Sequence, residues 1–153
     1  MKGKYMVITE SIRLLAKQAV FVISAHAVLI MISTYAHEKI DLFFSLAPNM
    51  PAFLFFCFAP LIIVFLLSTK FARQAAVALL GILAGILVYN ITTRFTALPV
   101  IPHQETSLIW KIIYEGSFGL LLVSEAIAIW LTFKLLREIH KQINSPTENT
   151  PVP

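Results

Sequence analysis

The stretch that decides the fold runs from residue 52 to residue 93: AFLFFCFAPLIIVFLLST, then KFARQ, then AAVALLGILAGILVYNITT. Two apolar runs of 18 and 19 residues are separated by five residues, three of which, Lys70, Arg73 and Gln74, are basic or polar. Each run approaches the roughly 20 residues that an α-helix, rising about 1.5 Å per residue, needs to cross a hydrocarbon core about 30 Å thick. Segments such as LIIVFLL show no alternation, which argues against the period-2 pattern of a membrane β-barrel. A connection of five residues forces the two helices to be antiparallel neighbours.

Two similar runs flank this hairpin, at 16–35 and 112–135. Together the four segments predict an all-α integral membrane protein, an antiparallel four-helix transmembrane bundle occupying residues 1–143, with a Ser-, Thr- and Pro-containing tail at 144–153 that is expected to be disordered. Composition supports this class. The chain of 153 residues is 58% hydrophobic and only 13% charged, about half the charged fraction of soluble domains. Its mean hydropathy is +0.82. The formal charge of +4 does not indicate a nucleic-acid partner, because the basic residues are scattered between apolar runs rather than gathered in one patch of sequence.

The first run is expected to remain as a span rather than to act as a cleaved signal, since a charged leader with Lys2, Lys4, Glu10 and Arg13 precedes it, Lys17 stands at its start, and its length exceeds a signal core. Basic residues near span ends are retained in the cytoplasm. Lys2, Lys4, Arg13, Lys17, Lys70, Arg73, Lys134, Arg137 and Lys141 fall on one side, against Lys39, Arg94 and Lys111 on the other. This asymmetry predicts a multi-pass protein of a cell membrane, the bacterial inner membrane being the expected location, with both termini cytoplasmic. The loop 36–51 is expected to lie on the outer headgroups, with Pro51 opening the second helix, and the loop 94–111 to end at an interfacial Trp110. Pro60 is expected to kink the second span.

Glu125 is the most informative residue, because a carboxylate near the middle of a span costs about 2.5–3.5 kcal/mol on insertion scales. At 100° per residue it shares a small and polar stripe with Ser117, Ser124, Ala128 and Thr132, which is expected to face protein. His26 is the histidine placed well inside a span, while His37 and His103 read as outer-loop residues and His140 as part of the inner tail. His26 lies ten residues from position 16 and Glu125 ten from position 135, so the two are expected to meet at the midplane as a polar pair. Without a second histidine in another span, bis-histidine haem is not expected, nor any other cofactor. The lone Cys57 permits neither an intrachain disulfide nor a cysteine metal cluster, and no metal site is expected.

In the third span Ala78, Gly81 and Gly85 form a small face of the Gly-x-x-x-Gly type, suited to close approach by another helix, either within the chain or from outside. Asn90 and Arg94 stand near the outer end, as a cap or an anion contact, and the sequon Asn90-Ile91-Thr92 is expected to be idle. Clusters that mark intramembrane enzymes, such as histidine boxes, paired aspartates or phosphate loops, are not found, so catalysis is not expected. The function expected from this reading is a non-enzymatic accessory or binding subunit that meets another membrane protein or itself, an inhibitory or immunity-type subunit being one member of that class. The packing face offered for that role is Ala78, Gly81, Gly85, Ser117, Ser124 and Ala128. The alternative is a small proton-coupled transporter or ion path that uses Glu125 and His26.

Overall fold

The structure, a computed structural model, describes residues 9–40, 46–96 and 108–144. Those residues form four α-helices and no strand: α1 (Glu10–Ile40), α2 (Leu46–Leu66), α3 (Ala72–Thr96) and α4 (Leu108–Asn144). Three helices contain stretches long and apolar enough to cross a membrane, Glu10–Ile40, Ala72–Thr92 and Leu108–Asn144. Within α2 the corresponding apolar stretch is the shorter Phe53–Leu66. Four spans of that length were expected; three are found among the described residues.

The helices are longer than the apolar runs that announce them. The first extends at both ends, so that Ala36, His37 and Ile40, read from sequence as loop, complete α1. Most of the expected outer segment 36–51 is therefore helical, because α2 already begins at Leu46. Pro48 lies in the first turn of α2, where a missing N–H is tolerated, and Pro51 lies inside the helix rather than opening it. His140 likewise belongs to α4, where its Nε2 lies 2.8 Å from Asn144 Nδ2. The leader through residue 8, the middle of each outer connection including Pro99, Pro102 and His103, and the tail from residue 145 lie outside the described residues.

Local chemistry sets the visible ends. Thr9 precedes α1, and its carbonyl accepts the first helical bond from the Arg13 amide at 3.0 Å. Glu10 in the first turn and His37 and Lys39 in the last match the helix dipole. The turn between α2 and α3 is built around Thr69. Its hydroxyl donates to the Leu66 carbonyl at 2.7 Å and accepts from the Phe71 amide at 3.2 Å, closing one helix and opening the next. The Thr69 carbonyl then accepts from the Ala72 amide at 3.1 Å.

Burial follows a seven-residue repeat. On α1 it includes Ile12, Ala19, His26, Ser33 and Ile40; on α3 Ala72, Leu79 and Ile86; on α4 Ser117, Ser124 and Leu131, with Leu121, Ala128 and Leu135 beside them. A heptad spacing keeps one seam facing its neighbour along the whole helix. Helices adjacent in sequence pack together, and α1 packs most extensively on α4, which closes the ring. Paired residues in α1 and α4 run in opposite directions: the rings of His37 and Tyr114 lie 5.0 Å apart, while His26 meets Ser124. The larger core fills the half holding Ile12, Leu67, Ala72, Leu79, Leu135 and Ile139. A smaller cluster of Ile30, Cys57 and Leu121 lies beyond the polar residues described next. Outside, α1, α2 and α4 present Phe21, Phe55, Ile62, Phe65, Trp130 and Phe133. An apolar exterior of this extent is uncommon for a monomer in water and matches a lipid solvent.

Candidate functional site

Four residues from three helices meet between the two apolar clusters: His26 of α1, Asn90 of α3, and Ser124 and Glu125 of α4. His26 is 1% exposed and Glu125 is fully enclosed. Consecutive positions on α4 serve both neighbours, since Ser124 faces α1 and Glu125 reaches towards α1 and α3.

The hydrogen bonds define the chemistry. Ser124 Oγ donates to the Leu121 carbonyl at 2.7 Å, which uses its only proton. It therefore acts as acceptor towards His26 Nδ1, 3.0 Å away, and this assigns the ring a proton on Nδ1. The lone pair of a neutral His26 must then sit on Nε2. That atom lies 3.7 Å from Glu125 Oε1, close enough for an ion pair but longer than a hydrogen bond. Glu125 Oε1 accepts a short hydrogen bond from Asn90 Nδ2. His26 Nε2 and Glu125 Oε2 are both buried and have no hydrogen-bond partner.

The expected pair of His26 and Glu125 is thus brought together, although their hydrogen bonds go to Ser124 and Asn90. Ser117, Ser124 and Ala128 are buried as the α4 stripe required, and Thr132 donates to the Ala128 carbonyl at 2.7 Å. The α3 residues behave differently. Ala78, Gly81 and Gly85 are exposed, and a Cβ built on either glycine meets nothing within 4 Å. The six residues read as one packing set therefore divide into a buried α4 group and an outward α3 group.

Asn90 is the member that sequence reading placed elsewhere, as a cap or anion contact, and its bond to Glu125 leaves its sequon side chain engaged inside the protein. The available signal was its position on α3: Asn90 is three residues past Leu87 on a helix whose buried positions include Leu83 and Ile86, so it continues the inward stripe. Among the described residues no group of three or more His, Cys, Asp or Glu side chains is arranged to hold a metal ion. Comparison with family models, with curated proteins and with solved structures finds no match for this chain.

Proposed function

We propose that the chain is a small non-enzymatic accessory subunit that binds another membrane protein through the outward face of α3. In this reading the four helices form an antiparallel transmembrane bundle, with α2 as the fourth span and both termini on the cytoplasmic side of a cell membrane, the inner membrane in a bacterium. An inhibitory or immunity-type subunit is one member of the class. The observation that carries the reading is the freedom of Ala78, Gly81 and Gly85 from contacts within the chain. Lipid tails gain nothing from small side chains, whereas another helix gains close van der Waals contact along such a face. The outward faces of α1, α2 and α4 are dominated by large side chains such as Phe21, Phe65 and Trp130, although Gly116 and Gly119 of α4 are exposed as well and Val77, Val88 and Tyr89 are exposed on α3.

Transport is supported less. Beyond the four residues, the buried polar side chains described on α1 and α4 are the hydroxyls of Ser33, Ser117 and Thr132, and the last two donate to backbone carbonyls of their own helix. A conducting path needs hydrogen-bonding groups or water along its length.

The test is purification of tagged protein in mild detergent from its native host, with identification of companions. A companion membrane protein should be present and should be lost from Gly81→Leu and Gly85→Leu variants that remain folded. Purification of the chain alone, before and after those changes, would overturn the reading. Recovery of a second copy of this chain as the sole companion would replace it with self-association.

A further inference from the structure

We propose that His26 and Glu125 form a binding site for a single proton, held in the middle of the bundle and oriented by Ser124 and Asn90. This inference is independent of what binds the outer face of α3. Two buried atoms, His26 Nε2 and Glu125 Oε2, have no hydrogen-bond partner. They belong to groups that already approach within 3.7 Å.

The bonding leaves few choices. Ser124 commits its proton to Leu121 and so keeps a proton on His26 Nδ1, turning the Nε2 position of the ring towards Glu125. Asn90 donates to Oε1 and so accommodates that oxygen either as a carbonyl or as half of a carboxylate. One proton added to this arrangement has two resting places. On the carboxyl it makes a neutral acid that faces the lone pair of Nε2, which lies 3.7 Å from Oε1. On Nε2 it makes an imidazolium facing a carboxylate. Transfer between them breaks one O–H bond and forms one N–H bond with no change in net charge. With no proton the site holds a lone carboxylate, and with two it holds a lone imidazolium; either is an unpaired charge out of water.

Among the residues whose side chains are described, none offers a substitute counter-charge. On α1 the nearest basic residue towards the N-terminus is Lys17, nine residues away, and on α4 Glu115 and Lys134 are ten and nine residues away; all three are exposed. At about 1.5 Å per residue these lie roughly 13–15 Å along the axis. The described part of α2 contains no Asp, Glu, Lys, Arg or His, and its Cys57 packs with Ile30 and Leu121. On α3, Asn90 is uncharged and Arg94 follows one turn later.

The experiment uses the full chain in phospholipid nanodiscs. Histidine labelled with 15N reports which ring nitrogens carry protons, with the His26 signals identified by their loss in His26→Asn. The infrared carboxylic acid band of Glu125 is identified by its loss in Glu125→Gln and its displacement in Glu125→Asp. At neutral pH the expected total is one proton, with Nδ1 protonated in either form: neutral His26 beside an acid band, or imidazolium without one. Neutral His26 without an acid band, which is the result expected of a bridging water or a bound cation, would overturn the proposal. So would imidazolium together with an acid band, or a neutral ring whose Nδ1 is bare.

Discussion

Ser124 and Thr132 both return their hydroxyl protons to backbone carbonyls of α4, at 2.7 Å in each case, yet replacing them has different consequences. Thr132 has no further hydrogen-bond partner there, so Thr132→Val keeps the shape and loses only a bond to a carbonyl that the helix already uses; its effect on stability should stay within about 0.5 kcal/mol. Ser124→Ala also strands His26 Nδ1 in a buried position and should cost about 1–3 kcal/mol. Glu125→Leu removes the acceptor of Asn90 and leaves His26 facing carbon, a loss of similar size for each stranded group. Glu125→Gln, which can accept from Asn90 and donate to Nε2, should remain close to the parent. Reversible unfolding of all four variants in mixed micelles would check the order. Equal losses for Thr132→Val and Ser124→Ala would mean that His26 does not depend on the serine. Glu125 and His26 were legible in the sequence because ionisable groups are rare inside apolar runs. Asn90 was not, because depth was counted from the edges of those runs. Counted from the helix ends, His26 is 16 residues from Glu10, Asn90 18 from Ala72 and Glu125 19 from Asn144, which brings the three to about 24–28 Å, one level.

The same bookkeeping of ends explains what was and was not readable in the elements. Hydropathy falls where charges gather, Glu10, Arg13 and Lys17 at one end and Lys134, Arg137 and Glu138 at the other, so the first run begins only at residue 16 and the fourth ends at 135. The buried stripe continues through Ile12 at one end and Ile139 at the other, with Arg13 and Arg137 turned outward beside them. A helix can leave the hydrocarbon and still have a seam to bury, and only the heptad spacing records that. The α3 face illustrates the opposite limit, since Gly81 and Gly85 mark a close approach without saying whether the chain itself makes it. Their exposure fixes the sign of a simple experiment. Gly81→Ala and Gly85→Ala add a methyl group where nothing stands within 4 Å, and alanine is favoured over glycine in a helix by about 1 kcal/mol. Each should therefore leave the isolated chain as stable or up to about 1 kcal/mol more stable, measured by unfolding in detergent. Leu83→Ala, on the buried side of the same helix, should cost about 2–5 kcal/mol. A loss from either glycine change as large as that from Leu83→Ala would show that the glycines pack against this chain after all.

At the scale of the whole molecule, charge and connectivity bear on how many times the chain crosses. Arg13, Lys17, Lys70, Arg73, Lys134, Arg137 and Lys141 are all exposed at the end where Ile12, Ala72 and Ile139 share one core, whereas Lys39 and Lys111 lie at the other. If lysine and arginine hold that end in the cytoplasm, the α2–α3 turn belongs there only when α2 itself crosses. The apolar stretch of α2 is the shortest of the four, so this crossing is the step of the proposed topology most worth testing. Ser68 in the turn and Leu108 at the start of α4 are both exposed, and Cys57 is buried and can be replaced by alanine to leave a single reporter thiol. With a membrane-impermeant maleimide on intact cells or right-side-out vesicles, Leu108→Cys should be labelled directly and Ser68→Cys only after permeabilisation. Should α2 instead lie along the outer surface, the chain would cross three times. The turn would then face outward, α4 would begin inside, and the two labelling patterns would exchange. Because each arrangement predicts a reaction at one site and protection at the other, absence of reaction at a single position cannot imitate either result.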